Sequence, residues 1–117
     1  MVKMMENDAI KLGVTQLLFI VAAALEVGGD AIIRAGMRQH RSWLLIAGFL
    51  VLGSYGVVVN RIPLDFSRML GIYVGVFTVV SVAAGRLVFG DRVPVTTWVG
   101  VFVILLGSAI IHWGARR

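Results

Sequence analysis

Cysteine is absent from this chain of 117 residues, so neither a disulfide framework nor a thiolate metal site can form. Charge is also scarce, because only 15% of the residues are Asp, Glu, Lys or Arg. The apolar fraction is 59%, whereas about 45–50% is usual in a soluble domain. These proportions argue against a soluble globular protein and predict an integral membrane protein with one domain, residues 1–117.

Motifs of the common enzyme classes are missing as well. The sequence contains no Walker loop, nucleotide fingerprint, nucleophile elbow or metal-ligand cluster. We therefore expect no enzymatic activity, no cofactor and no metal site. The amino-terminal stretch "MVKMMENDAIK" lacks the basic region and the cleavage site of a signal peptide, so the apolar run after it is expected to be retained.

The basic residues do not indicate a nucleic-acid partner, although the formal net charge is +5. They stand singly or in pairs, whereas nucleic-acid surfaces collect them in a stripe or patch. Bases at the ends of apolar segments are typical of contacts with lipid headgroups. The predicted surroundings of the chain are therefore membrane lipid.

Four apolar segments predict four transmembrane helices, at about 13–36, 43–59, 69–89 and 95–113. Each is near the ~20 residues that cross a hydrocarbon core of ~30 Å. The runs are continuously apolar and do not alternate, which argues against a β-barrel. Glycines inside the segments let helices approach closely, so we expect an all-α, tight bundle in which Gly28, Gly29 and Gly75 serve helix packing.

The charge distribution sets almost no preferred orientation. With four spans, the termini and the second loop share one side and carry six bases, against five on the other side. The simplest consequence is insertion in both orientations and an antiparallel homodimer; the alternative is a bias toward cytoplasmic termini. Gly100 and Gly107 lie one heptad apart and are the candidate interface for a second copy.

Two acids and one base interrupt the first span, "VAAALEVGGDAIIRAG". Glu26 lies about 13 residues into the span, ~20 Å deep and near the bilayer centre. A carboxylate there costs a few kcal/mol, so it usually faces a cavity or a partner. Glu26 is therefore predicted to hold either a proton or a cation, which is the basis of proton-coupled exchange; the alternative is a neutralised ion pair.

Asp30 and Arg34 follow Glu26 on the same helix face, at i+4 and i+8. Either Asp30 pairs with Arg34 to stabilise the helix while Arg34 extends to the headgroups, or Asp30 extends the proton path to Glu26.

The third span contributes aromatic candidates for the same site. Tyr73 and Phe77 share one helix face and can line a pocket for an organic cation through cation–π contact; the alternative is that they only pack against neighbouring helices. Arg68 lies at the mouth of this span, where it is either an interfacial anchor or part of the binding site.

These features resemble the small multidrug resistance transporters. The resemblance rests on four spans, the central Glu in "ALEVGG", the Tyr–x–Gly stretch of the third span, "FGDR" and the glycine heptad of the fourth. It is closer to the YnfA-like branch, which has an Arg five residues before the third-span Tyr, as Arg68 precedes Tyr73 here. It implies an antiparallel, dual-topology homodimer in the bacterial inner membrane that exchanges protons for cationic compounds by alternating access.

By position, the resemblance implies proton and substrate binding at Glu26 and an aromatic lining at Tyr73. It implies a third-helix hinge or packing role for Gly75, and a dimer interface at Gly100 and Gly107.

The chain also departs from the multidrug members. Leu70 stands where their third helix has Tyr, and Asp30, Arg34 and Arg68 are charges that they lack. An arginine near the site can compete with a cationic substrate or recruit an anionic or zwitterionic one. Three hypotheses therefore stand: export of small organic cations, translocation of a lipid or lipid-linked carrier, and a membrane subunit without transport activity of its own.

Overall fold

The computed structural model describes residues 2–114, which form four helices. They are α1 (Val2–Gln39), α2 (Ser42–Val59), α3 (Phe66–Leu87) and α4 (Val95–Gly114). All four are long and apolar enough to cross a membrane, and residues 2–114 contain no strand. The predicted all-α class with four spans is confirmed.

The first helix begins at Val2, about three turns before the predicted start near residue 13. The preceding stretch is polar, yet Met, Lys, Glu and Ala are good helix formers, so the backbone stays helical. The polar stretch therefore marks where the apolar span begins, whereas the helix itself begins further toward the amino terminus. The third helix ends at Leu87, two residues before the predicted boundary.

Short connections make successive helices antiparallel. Only His40 and Arg41 separate α1 from α2, and His40 takes the left-handed conformation with φ 55°. This lets the Arg41 N–H donate to the Gly36 carbonyl oxygen at 3.0 Å. Between α3 and α4, Gly90 has φ 66°, and the Asp91 N–H donates to the Gly85 carbonyl oxygen at 2.9 Å.

Glycines bring the backbones of α1 and α2 together. A Cβ on Gly29 would lie 2.9 Å from the backbone nitrogen of Leu52, and one on Gly48 would lie 3.1 Å from the Gly29 carbonyl oxygen. Neither position has room for a larger residue. Gly28 differs from its neighbour, since a Cβ there would meet no atom within 4 Å.

The α3–α4 contact combines a glycine with a serine. A Cβ on Gly75 would lie 2.6 Å from the Ser108 hydroxyl oxygen. That hydroxyl lies 3.0 Å from the carbonyl oxygens of both Gly71 and Ile72, to which it donates. The small residue on α3 and the hydroxyl on α4 thus hold the two helices at close range.

The described helices form two hairpins, α1–α2 and α3–α4. The hairpins meet where α1 packs on α3, and within residues 2–114 the backbone of α4 contacts that of α3 but of no other helix. The buried core lies between α1, the end of α2 and the start of α3, and consists of Phe19, Ala22, Ala23, Val59, Ile62, Met69 and Tyr73. The outer face of α4 is strongly exposed, as at Ile110 (69%).

Candidate functional site

The site is centred on Glu26, which is half-buried on α1 at the junction of the two hairpins. The Tyr73 hydroxyl, on α3, donates a hydrogen bond to Glu26 Oε2 over 2.6 Å. This is a short hydrogen bond between two oxygen atoms. The Tyr73 side chain is only 4% exposed, so core packing fixes the donor beside the carboxylate.

Two further aromatic rings complete what we call the Glu26 cluster (Glu26, Tyr55, Tyr73 and Phe77). The ring centroid of Tyr55, on α2, is 5.3 Å from that of Tyr73, with planes inclined at 32°. The ring centroid of Phe77 is 5.9 Å from that of Tyr73, with planes inclined at 35°. Both separations are in the range of favourable aromatic pairs. The cluster offers one carboxylate and several π faces, and both attract an organic cation.

A cavity of about 230 Å³ begins at Phe77 and extends between α1 and α3 toward the α3–α4 loop. We call it the outer cavity; it is lined by Val27, Asp30, Ala31, Arg34, Phe77, Ser81, Ala84, Gly85, Phe89 and Asp91. Phe77 belongs both to this lining and to the Glu26 cluster. The outer cavity is therefore connected to the carboxylate through two rings, Phe77 and then Tyr73, whose hydroxyl is bonded to Glu26.

Arg34 has a different neighbour from the one that the helix spacing favours. Its guanidinium carbon lies 5.4 Å from the centre of the Phe89 ring, a cation–π arrangement, and the described residues include no ion pair between Arg34 and Asp30. The reason is the α3–α4 loop, which brings an aromatic ring to the outer cavity. The expected helix-stabilising pair of Asp30 and Arg34 is therefore replaced by a contact between α1 and this loop.

Arg68 lies outside the Glu26 cluster. Its Nη2 donates to the His112 carbonyl oxygen at 3.1 Å, in the last turn of α4, where the helix dipole is negative. Its Nε is buried and has no hydrogen-bond partner among the described residues. The structure thus places Arg68 against the end of α4 and not beside the carboxylate.

The predicted glycines fall into two groups. Gly29 and Gly75 lie at helix contacts, whereas a Cβ on Gly28, Gly100 or Gly107 would meet nothing within 4 Å. Gly100 and Gly107 lie on α4.

Residues 2–114 contain no group of three or more His, Asp or Glu side chains that could hold a metal ion.

Sequence reasoning did not find Tyr55, Phe89 or Asp91. Tyr55 is the first of only two tyrosines in the chain, and a polar hydroxyl inside the apolar α2 was the available signal. Phe89 and Asp91 belong to a loop, and no periodicity indicates which helix a loop residue contacts.

Four apolar helices with a carboxylate among them define a polytopic membrane protein with a polar site inside the bundle. The chain belongs to the YnfA/UPF0060 family, described as "Uncharacterised BCR", whose sequence profile matches residues 12–117.

Bacterial relatives named UPF0060 membrane protein cover most of the chain. One from Mycolicibacterium gilvum is 41% identical over 102 residues, which is 86% of this chain and 94% of the relative. One from Streptomyces avermitilis is 39% identical over 101 residues, which is 85% of this chain and 90% of the relative. One from Nocardia farcinica is 42% identical over 103 residues, which is 85% of this chain and 91% of the relative. No solved structure matches the chain.

Proposed function

We propose that this protein exports small organic cations in exchange for protons, by alternating access across the bacterial inner membrane, as the small multidrug resistance transporters do. The observation that carries the proposal is the Glu26 carboxylate, which lies within an apolar span and accepts a hydrogen bond from a buried tyrosine. Ionisable groups at such depth are costly and usually serve function.

The chemistry follows from one negative charge in apolar surroundings. A proton and an organic cation both neutralise the Glu26 carboxylate, and their binding is mutually exclusive because the site holds one charge. The Tyr73 hydroxyl keeps the carboxylate in place, and the rings of Tyr55 and Phe77 supply apolar and π contact to the organic part of a substrate. Binding of one ligand then releases the other, which couples the two fluxes.

A second copy of the chain is part of the proposal. The outer face of α4 is exposed, and the surface at Gly100 and Gly107 is open to close approach by another helix. The near-equal charges on the two sides favour copies of opposite orientation. An antiparallel homodimer would enclose two Glu26 carboxylates between eight helices.

The test is proton-driven current from purified protein on a supported membrane, with guanidinium, quaternary ammonium and polyamine compounds as substrates. We expect current from the wild type and none from Glu26→Gln, because the amide can neither bind a proton nor neutralise a cation. Glu6→Gln is the matched control, since Glu6 is exposed in the polar first turns of α1. Full coupled current from a well-folded Glu26→Gln dimer would overturn the proposal.

A second candidate function is translocation of a lipid or lipid-linked carrier. It is favoured by a groove of about 440 Å³ between α1, α3 and α4 that is mostly apolar and has Gln16 and His112 at one end. Arg68 is bonded to His112 at that end, so an acyl chain in the groove would bring an anionic headgroup near a guanidinium. Fluorescent anionic lipids in proteoliposomes test this function, and absence of translocation would exclude it.

A further inference from the structure

The outer cavity carries charges that the Glu26 cluster does not use. Asp30 and Asp91 line it with two carboxylates, and Arg34 contributes one guanidinium, which leaves a formal charge of −1. All three residues are exposed, and Asp91 belongs to the α3–α4 loop, so the cavity is open at this end of the helices. Asp91 also lines adjoining recesses with Arg86 and Arg92, so the two carboxylates attract a cation by direct contact inside the cavity and not through the net charge of the region.

Space for the Asp91 carboxylate is provided by a glycine. A Cβ on Gly85 would lie 2.8 Å from Asp91 Oδ2, so a larger residue at this position on α3 would crowd the carboxylate. The Asp91 N–H is tied to the Gly85 carbonyl oxygen, which fixes the start of the loop against the helix. The position of this acid in the outer cavity is therefore set by the backbone.

A cation already occupies the aromatic wall of the cavity, and it belongs to the protein. The Arg34 guanidinium lies over the Phe89 ring at 5.4 Å, in a recess that also contains two carboxylates. These groups are what a free organic cation would use: a π face for its plane and carboxylates for its N–H groups. Arg34 thus shows that the Phe89 ring accommodates a guanidinium group.

We propose that the outer cavity is a second binding subsite for organic cations, and that Arg34 is a tethered competitor which an incoming cation displaces from Phe89. The subsite is lined by Phe77, whose ring lies 5.9 Å from that of Tyr73, the hydrogen-bond donor to Glu26. The inference rests on the proposed function and adds a specificity determinant to it. Planar cations that donate hydrogen bonds are favoured over tetraalkylammonium ions, which cannot bond to Asp30 or Asp91.

The experiment compares Arg34→Gln with Arg38→Gln, using methylguanidinium and tetramethylammonium as probes. Arg38 is the matched control because it lies one turn further along α1, is exposed and does not line the cavity. Binding is measured calorimetrically on the protein in nanodiscs, and KM by supported-membrane current. We expect Arg34→Gln to lower Kd and KM for methylguanidinium about two- to fivefold, the size of one exposed cation–π contact.

The Phe89→Leu background separates competition from loss of charge. If Arg34 and substrate share the ring, the gain from Arg34→Gln disappears when Phe89 is leucine. Equal shifts in Arg34→Gln and Arg38→Gln, or a gain that persists without the ring, would overturn the subsite. So would a gain for tetramethylammonium as large as that for methylguanidinium.

Failure of this inference is distinguishable from failure of the proposed function. If Glu26→Gln abolishes current while Arg34→Gln behaves like Arg38→Gln, export stands and the subsite falls. If Glu26→Gln retains current, export through Glu26 falls, and methylguanidinium binding to the Glu26→Gln protein with and without Arg34 still decides the subsite.

Discussion

At the scale of the residue, Tyr73 is both a core side chain and the hydrogen-bond donor to Glu26. Its ring is buried with Phe19 and Met69, and its hydroxyl lies 2.6 Å from the carboxylate. The free energy that packs the ring therefore also orients the donor, and no separate element is needed to hold the site in place. Ring and hydroxyl can be separated experimentally because Phe keeps the first and removes the second.

Tyr73→Phe should fold like the wild type and transport poorly. A hydrogen bond to a charged group contributes about 1.5–3 kcal/mol, so we expect kcat/KM for a transported cation to fall roughly ten- to hundredfold. The measurement is supported-membrane current, together with thermal unfolding in detergent. Tyr73→Leu is the control for packing and should also lower the unfolding temperature; unchanged kcat/KM in Tyr73→Phe would show that the bond is not used.

At the scale of the element, two adjacent glycines of α1 have opposite surroundings. Gly29 faces the backbone of α2, whereas Gly28 faces open space. The same substitution should therefore have opposite effects at the two positions. The tight crossing of α1 and α2 depends on one of these glycines only.

Gly29→Ala should destabilise the protein by about 1–3 kcal/mol, the usual effect of overpacking a close contact, because its Cβ would lie 2.9 Å from the Leu52 nitrogen. Gly28→Ala should be neutral or stabilising by up to about 1 kcal/mol, since alanine favours the helix. Unfolding of both variants in the same detergent checks the contrast. Equal melting temperatures would mean that α1 and α2 cross less closely in the membrane.

Apolar segments and the acid within the first of them could be predicted from the sequence, whereas the contacts between helices could not. Lipid is as apolar as the bundle interior, so hydrophobic periodicity does not reveal which face of α2 turns inward. Tyr55 was missed for this reason. Phe89 was missed because its position depends on the path of a loop, and the start of α1 because helix-forming residues continue beyond the apolar span.

At the scale of the whole molecule, orientation in the membrane is open to a direct chemical test. Lys3 and Lys11 are the two lysines of the sequence, and both are exposed on the first turns of α1. They therefore report the side on which the amino-terminal end lies. The remaining bases are arginines, which do not react with amine reagents under mild conditions.

A membrane-impermeant amine reagent should label about half of the chains in intact spheroplasts if the balanced charges permit both orientations. Permeabilised membranes should then show complete labelling. A variant with Lys3→Arg and Lys11→Arg supplies the background signal from the amino terminus. Labelling of all chains, or of none, before permeabilisation would establish a single orientation and exclude the antiparallel homodimer.

The two hairpins meet where α1 packs on α3, and the Glu26–Tyr73 bond lies on that boundary. In the proposed exchange, a proton or cation that binds to Glu26 would therefore act directly on the contact between the two halves of the subunit. No chain of intermediate residues is needed to carry a signal from a remote pocket to a moving part. If the protein works as proposed, occupancy of the carboxylate and the relative position of the hairpins would belong to a single equilibrium, and a substitution that weakens the α1–α3 contact would also change the affinity of Glu26 for its ligand.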